Sequence, residues 1–158
     1  MKKWYFLVCV LAAAGAAHLL LPLPAVGSGA PGDGALVYSA GSIATSGTTY
    51  VPVGGGASGS SIETAVQTMV PGVTQISDFT AVGGTAPGSG NSWAFTWRDN
   101  ATSQAVACTI SGTATSCSDT TDSFTAAAND LIDIQVTPGV TPASTGVQLY
   151  AQLAGGIP

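Results

Sequence analysis

Three kinds of side chain in this chain of 158 residues could do chemistry: cysteines, carboxylates and one histidine. The histidine, His18, lies in an apolar N-terminal stretch. Its position there leaves the rest of the chain without a Ser-His-Asp triad, a Cys-His pair or a histidine-based metal site. Among the carboxylates, Asp119, Thr121 and Asp122 form one oxygen-rich loop and Asn129-Asp130 another. Calcium takes several hard oxygen ligands, which makes Asp119 and Asp122 its weak candidates. The plainer reading is turn-forming residues that bond their own backbone. Glu63 and the scattered aspartates give no sign of the spaced carboxyl pair that glycoside hydrolysis requires. Arg98 beside Asp99 reads as a solvated rim pair worth at most about 1 kcal/mol. No reaction class finds residues for its roles, so the expectation is a protein that is not an enzyme and holds no cofactor.

The cysteines carry more information. Cys108 and Cys117 flank Thr-Ile-Ser-Gly-Thr-Ala-Thr-Ser. With Gly112-Thr113 as a two-residue loop, a type II′ turn with Gly first is favoured. That register pairs Ser111 with Ala114, Ile110 with Thr115, Thr109 with Ser116 and Cys108 with Cys117. The cysteines then form a non-hydrogen-bonded pair with Cα atoms about 4.5 Å apart, at the short end of what a disulfide tolerates. In a reducing compartment the same residues would be two buried free thiols.

The N-terminus decides between these readings. Met1-Lys2-Lys3 precedes Trp-Tyr-Phe-Leu-Val-Cys-Val-Leu and a run of Ala and Gly, the three regions of a secretory signal. The alternative is an uncleaved anchor, because apolar character resumes at Leu19-Leu20-Leu21. His18, Pro22 and Pro24 fit poorly in a continuous span of roughly 20 residues. Cys9 lacks the small residue before it that lipidation would want. The reading is therefore residues 1–27 as signal peptide or membrane anchor, 28–34 as Gly-rich linker and 35–158 as an exported domain. Contact with a membrane is expected only through an uncleaved leader. Export favours the disulfide. Beyond the leader one cation, Arg98, faces eight carboxylates, a net charge of −7. Such a surface repels phosphate backbones, which excludes nucleic acid as a partner.

The elements that position these residues are strands. Leu36 to Ala40 and Thr48 to Val53 are short, and Pro52 places the second at a sheet edge. Ile62 to Val70 alternates imperfectly and reads as a strand or a short helix, with Thr64, Val66 and Thr68 favouring the strand. Val73 to Val82 alternates with a slip between Ile76 and Phe79, as a bulge would cause. Gly83 to Asn91 reads as a loop. Trp93, Phe95 and Trp97 share one strand face, as do Val106, Cys108 and Ile110. Ile132, Ile134 and Val136 oppose Asp133 and Gln135, and Val147, Leu149, Ala151 and Leu153 oppose Gln148, Tyr150 and Gln152. Short strands of period two broken by Gly/Pro turns mean an all-β antiparallel sandwich.

The segment Asn-Ser-Trp-Ala-Phe-Thr-Trp-Arg-Asp-Asn, the Cys-Thr-Ile-Ser-Gly…Cys-Ser-Asp hairpin and Ala-Asn-Asp-Leu-Ile-Asp-Ile-Gln-Val-Thr-Pro together resemble a group of small, mostly uncharacterised proteins from bacteria, phages and environmental sequence. The likeness runs roughly from Val66 to Leu153. Where that group has Ala-Gly-Asp, this chain has Ala128-Asn129-Asp130, and Asn also tolerates positive φ. The resemblance implies a jelly roll like the tumour-necrosis-factor and complement-head domains, trimeric, on a virion or cell surface. It transfers no catalytic residue.

Two function classes follow. One is a structural or assembly subunit, a fibre, coat or spike component that self-associates. The other is a secreted module that binds a glycan or cell-surface receptor by stacking on Trp93 and Trp97. A sandwich needs large apolar side chains inside, so Phe95 is expected to be buried, with one of the tryptophans reaching the rim.

Overall fold

The computed structural model describes residues 34–40, 42–54 and 59–155. The leader, most of the Gly-rich linker and Cys9 lie outside the described residues. Nine strands are described: β1 (Gly34–Ala40), β2 (Thr49–Pro52), β3 (Thr68–Met69), β4 (Thr74–Gly83), β5 (Gly88–Asp99), β6 (Thr102–Gly112), β7 (Ser116–Ala126), β8 (Leu131–Gly139) and β9 (Val147–Gly155). They form two antiparallel sheets, an all-β sandwich. The first has the order β1-β9-β4-β7 and the second β2-β8-β5-β6, with β3 on β8 beside β2.

Period-two patterning accounts for the core. Trp93, Phe95 and Trp97 of β5 are all 0% exposed. Neither tryptophan reaches the rim, because the face they share is turned wholly toward the first sheet. Trp97 meets Phe79 of β4 edge-on at 6.0 Å and Phe124 of β7 at 6.0 Å. Ile134 and Val136 of β8, and Leu149 and Ala151 of β9, fill the remaining space. Each buried aromatic removes about 150–250 Å² from water, at most roughly 4–6 kcal/mol. β4 keeps Ile76 and Phe79 both inward by inserting Asp78, at φ 50°, where its register with β7 shifts. This is the expected bulge. Pro52 ends an edge strand, as its missing N–H requires.

Three expectations are corrected. Ile62 to Val70 is not one strand: a 3-10 turn at Glu63–Ala65 precedes the two-residue β3. Its alternation was imperfect, and Ile62 and Met69 are left exposed. The supposed loop at Gly83 to Asn91 is already β5 from Gly88. The polar run after Cys117 is β7, an edge strand, where serines and threonines can face water along its length.

Sequential strands rarely pair. β5 and β6 are the one consecutive pair hydrogen-bonded to each other among the described residues. Asn100 and Ala101 join them at φ 48° and 63°, the signs a type I′ hairpin turn needs. Other connections carry the chain to the opposite sheet or to a different edge.

Candidate functional site

Cys108 and Cys117 are joined by a disulfide with Cα atoms 5.7 Å apart. The hairpin expected around it does not form. Ala114 N–H still donates to Ser111 C=O across the turn, and Gly112 has φ 61°, as the turn assignment required. Beyond the turn the two arms diverge. β6 pairs with β5 in the second sheet, and β7 with β4 in the first. The disulfide therefore bridges the edges of two sheets, which explains why the Cα separation exceeds that of a close cross-strand pair. Each arm still turns an apolar residue into the core between the sheets, Ile110 from β6 and Phe124 from β7.

Asp119 sits two residues beyond Cys117 and is only 8% exposed. Its Oδ2 accepts from Ala107 N–H on β6 at 3.1 Å. Its Oδ1 accepts from Thr121 N–H, Thr121 Oγ1 and Asp122 N–H, each at 3.1 Å. Burial pushes this carboxyl up, but the bonds from Ala107, Asp122 and Thr121 together outweigh it and hold it below the usual range. The four bonds anchor this carboxylate to both its own strand and β6. Asp122 is exposed and offers its backbone N–H to Asp119. An open groove of about 430 Å³ runs along this edge, lined by Ala107, Cys108, Cys117, Asp119 and Thr121 among others. A buried charge beside an otherwise open sheet edge also discourages another strand from adding there.

Trp93 and Trp97 offer no ring face to a ligand, since both are fully buried. Asn129, at φ 73°, takes the left-handed conformation its side chain tolerates. Its neighbour Asp130 accepts from Ala127 N–H and from Asn100 Nδ2, while Asn100 Oδ1 accepts from Leu131 N–H. That reciprocal clamp ties the β5–β6 turn to the start of β8.

A second polar cluster was not anticipated. Arg98 does not pair with Asp99. Its Nε and Nη2 donate to Glu63 Oε1 and Oε2 at 2.9 and 3.2 Å, a two-pronged ion pair only 14% exposed on each side. Nη1 donates to Ser103 Oγ at 2.7 Å, Nη2 also to Ala101 C=O, and the guanidinium lies 5.9 Å from the centre of the Tyr50 ring. Asp133 stands opposite Arg98 in the β5–β8 register and opposite Pro52 in the β2–β8 register. It is 0% exposed, and neither carboxyl oxygen has a hydrogen-bond partner among the described residues. Burial first, then the charge of Glu63, push its pKa up to about 7, with Arg98 opposing. Alternation did place Arg98 and Asp133 on outward positions of two strands. What was missing was their adjacency and the segment from Ser61 to Gln67 lying over them.

No family model, curated protein or solved structure matches this chain.

Proposed function

We propose that this protein is a non-enzymatic, exported assembly subunit, a jelly roll that builds a surface or virion structure by associating with copies of itself. The strand order supports the jelly roll. With β3 set aside, β1 pairs β9, β2 pairs β8, β4 pairs β7 and β5 pairs β6, first with last and inward to the central hairpin. This is a long hairpin rolled into two sheets, the arrangement of jelly rolls. The resemblance of the segment from Val66 to Leu153 to jelly-roll proteins points the same way. Export is supported by the leader and by the disulfide, which persists in oxidising compartments.

The observation that carries the assembly reading is the outer face of the first sheet. Four registered rows cross β7, β4 and β9: Thr125–Gln75–Ala154, Ser123–Ser77–Gln152, Ser118–Thr80–Tyr150 and Ser116–Val82–Gln148. None of these residues is charged. Asp78 of the β4 bulge, bonded to Ser77 Oγ, stands beside these rows. Copies of a chain carrying −7 beyond its leader repel one another, and rows of uncharged side chains are where that repulsion is least. The outer face of the second sheet carries Arg98, Asp133 and Glu63 instead. The glycan-module reading loses its site with the burial of Trp93 and Trp97.

Light scattering on the eluting protein tests this reading. A closed oligomer, a trimer by the resemblance, should bury more than about 1,000 Å² per interface. Q148E/Q152E, which sets negative charge on the face, should dissociate it. A wild-type monomer at micromolar concentration, or an oligomer indifferent to both substitutions, would count against the proposal.

A further inference from the structure

The cluster on the outer face of the second sheet has a geometry that the assembly role does not use. The chain leaves the sheet after β2 and returns to it at β3. At the outgoing end, Ser60 and Tyr50 exchange both backbone hydrogen bonds, at 2.7 and 2.9 Å. At the returning end, Thr68 and Met69 pair with Ile132 and Leu131. Between these anchors, residues 61–67 make local bonds: Ile62 N–H to Oγ of the anchoring Ser60, and within the segment Ala65 N–H to Ile62 C=O and Val66 N–H to Glu63 C=O. Their hydrogen-bonded tie to the sheet, among the described residues, is the Glu63 carboxylate on Arg98. Val66, 8% exposed, is the apolar anchor of the segment.

Asp133 lies under this tie. Every charged or titratable group packed around it can be named: Arg98 from β5, Glu63 from the covering segment, and Tyr50 of β2, whose ring neighbours the guanidinium. β3 brings neither acid nor base. Gln67 and Glu63 approach Asp133 without a well-formed hydrogen bond to either of its oxygens. Two carboxyl groups thus share one guanidinium, and Glu63 holds both of its prongs. With Asp133 neutral, one cation faces one anion and the segment is held. With Asp133 ionised, a buried and unbonded carboxylate repels Glu63 and competes for Arg98.

We propose that Glu63, Arg98 and Asp133 form a pH-responsive latch, which holds the 61–67 segment against the second sheet in acidic surroundings and loosens it as the surroundings become neutral. The direction follows from linkage. The latched state binds the Asp133 proton more tightly than an opened state in which that carboxyl meets water. The Asp133 contribution to latching is therefore whole below the ordinary aspartate value of 3.8 and weakens until the pH reaches about 7. Above that it changes no further. One proton linked in this way alters the opening equilibrium by at most about tenfold per pH unit. An exported protein that passes from an acidic to a neutral environment would change the surface displayed around Val66 and the exposed Ile62.

Hydrogen exchange on the full chain tests this, read at the amides of Ala65 and Val66 and corrected for intrinsic exchange rates. Protection should fall by up to about tenfold per unit between roughly pH 4 and 7 and then level off. In D133N the slope should vanish with protection retained at neutral pH. Wild-type protection that stays constant over that interval, or a D133N slope equal to the parent's, overturns the latch. Should D133N fail to fold, carbon-13 titration of the wild-type Asp133 carboxyl decides. A midpoint about 7 that moves to lower pH in E63Q supports the latch. A midpoint near 3.8, or one unmoved by E63Q, refutes it.

Discussion

Replacing Asp119 by Asn asks whether one carboxylate closes the open side of the sandwich. In the parent, Oδ1 takes three donors from Thr121 and Asp122, and Oδ2 takes Ala107 N–H from the facing sheet. Asn keeps the shape but only one accepting oxygen. Turned toward Thr121 and Asp122, it sets its NH₂ against Ala107 N–H, donor against donor. A buried donor left unpaired costs about 1–3 kcal/mol, and the remaining bonds lose the charge that roughly doubles their strength. The expected loss is about 2–3 kcal/mol at neutral pH, measured by urea denaturation with the disulfide intact. The pH dependence separates this from generic damage. Asp119 is held below the ordinary 3.8, so its contribution is present above that value and is lost as pH falls through the folded one. Parent and variant should converge in strong acid. A difference under about 0.5 kcal/mol at neutral pH, or one equally large in acid, would refute the reasoning.

Phe95→Ala empties the centre of the aromatic stripe and should cost about 3–5 kcal/mol; thermal melts that overlay the parent's would contradict the packing. Reducing Cys108–Cys117, whose sequence separation is 9, should cost about 2–3 kcal/mol by loop closure. Mass spectrometry should find neither thiol alkylated without reductant, and free alkylation would contradict the bridge. Because the disulfide and Asp119 clamp the same edge, removing both should differ from the sum of the single losses by 0.5 kcal/mol or more, about the least expected of coupled neighbours. Asp133 has a raised folded pKa, so its stabilising contribution is whole below 3.8 and lost as pH rises to about 7. D133N should flatten that decline in unfolding free energy, and a flat parent profile over the same interval would count against it.

Strand identity and the inward residues were legible because a pleated strand shows its two faces to the sequence one residue at a time. Trp93, Phe95 and Trp97, the β8 and β9 alternations, and the slip at Asp78 all follow from that local geometry. So does the positive φ of Gly112 and Asn129, which depends on their own side chains. The disulfide was legible as a pair of residues but not as an object in space. Spacing described a turn correctly, while its arms pair with distant strands, β7 with β4 and β6 with β5, which no local pattern names. β7 was hidden for the same reason: an edge strand needs no apolar alternation along its whole length when Asp119 and the disulfide hold it in place. The Glu63–Arg98–Asp133 cluster lay furthest from view. Its members are 35 residues apart on each side of Arg98, in segments whose sequences describe only a polar turn, a strand end and an outward aspartate. Burial of Asp133 arises when a segment between β2 and β3 crosses over it. Only the tertiary arrangement sets that desolvation, because Coulomb and hydration energies depend on distance through space and not along the chain.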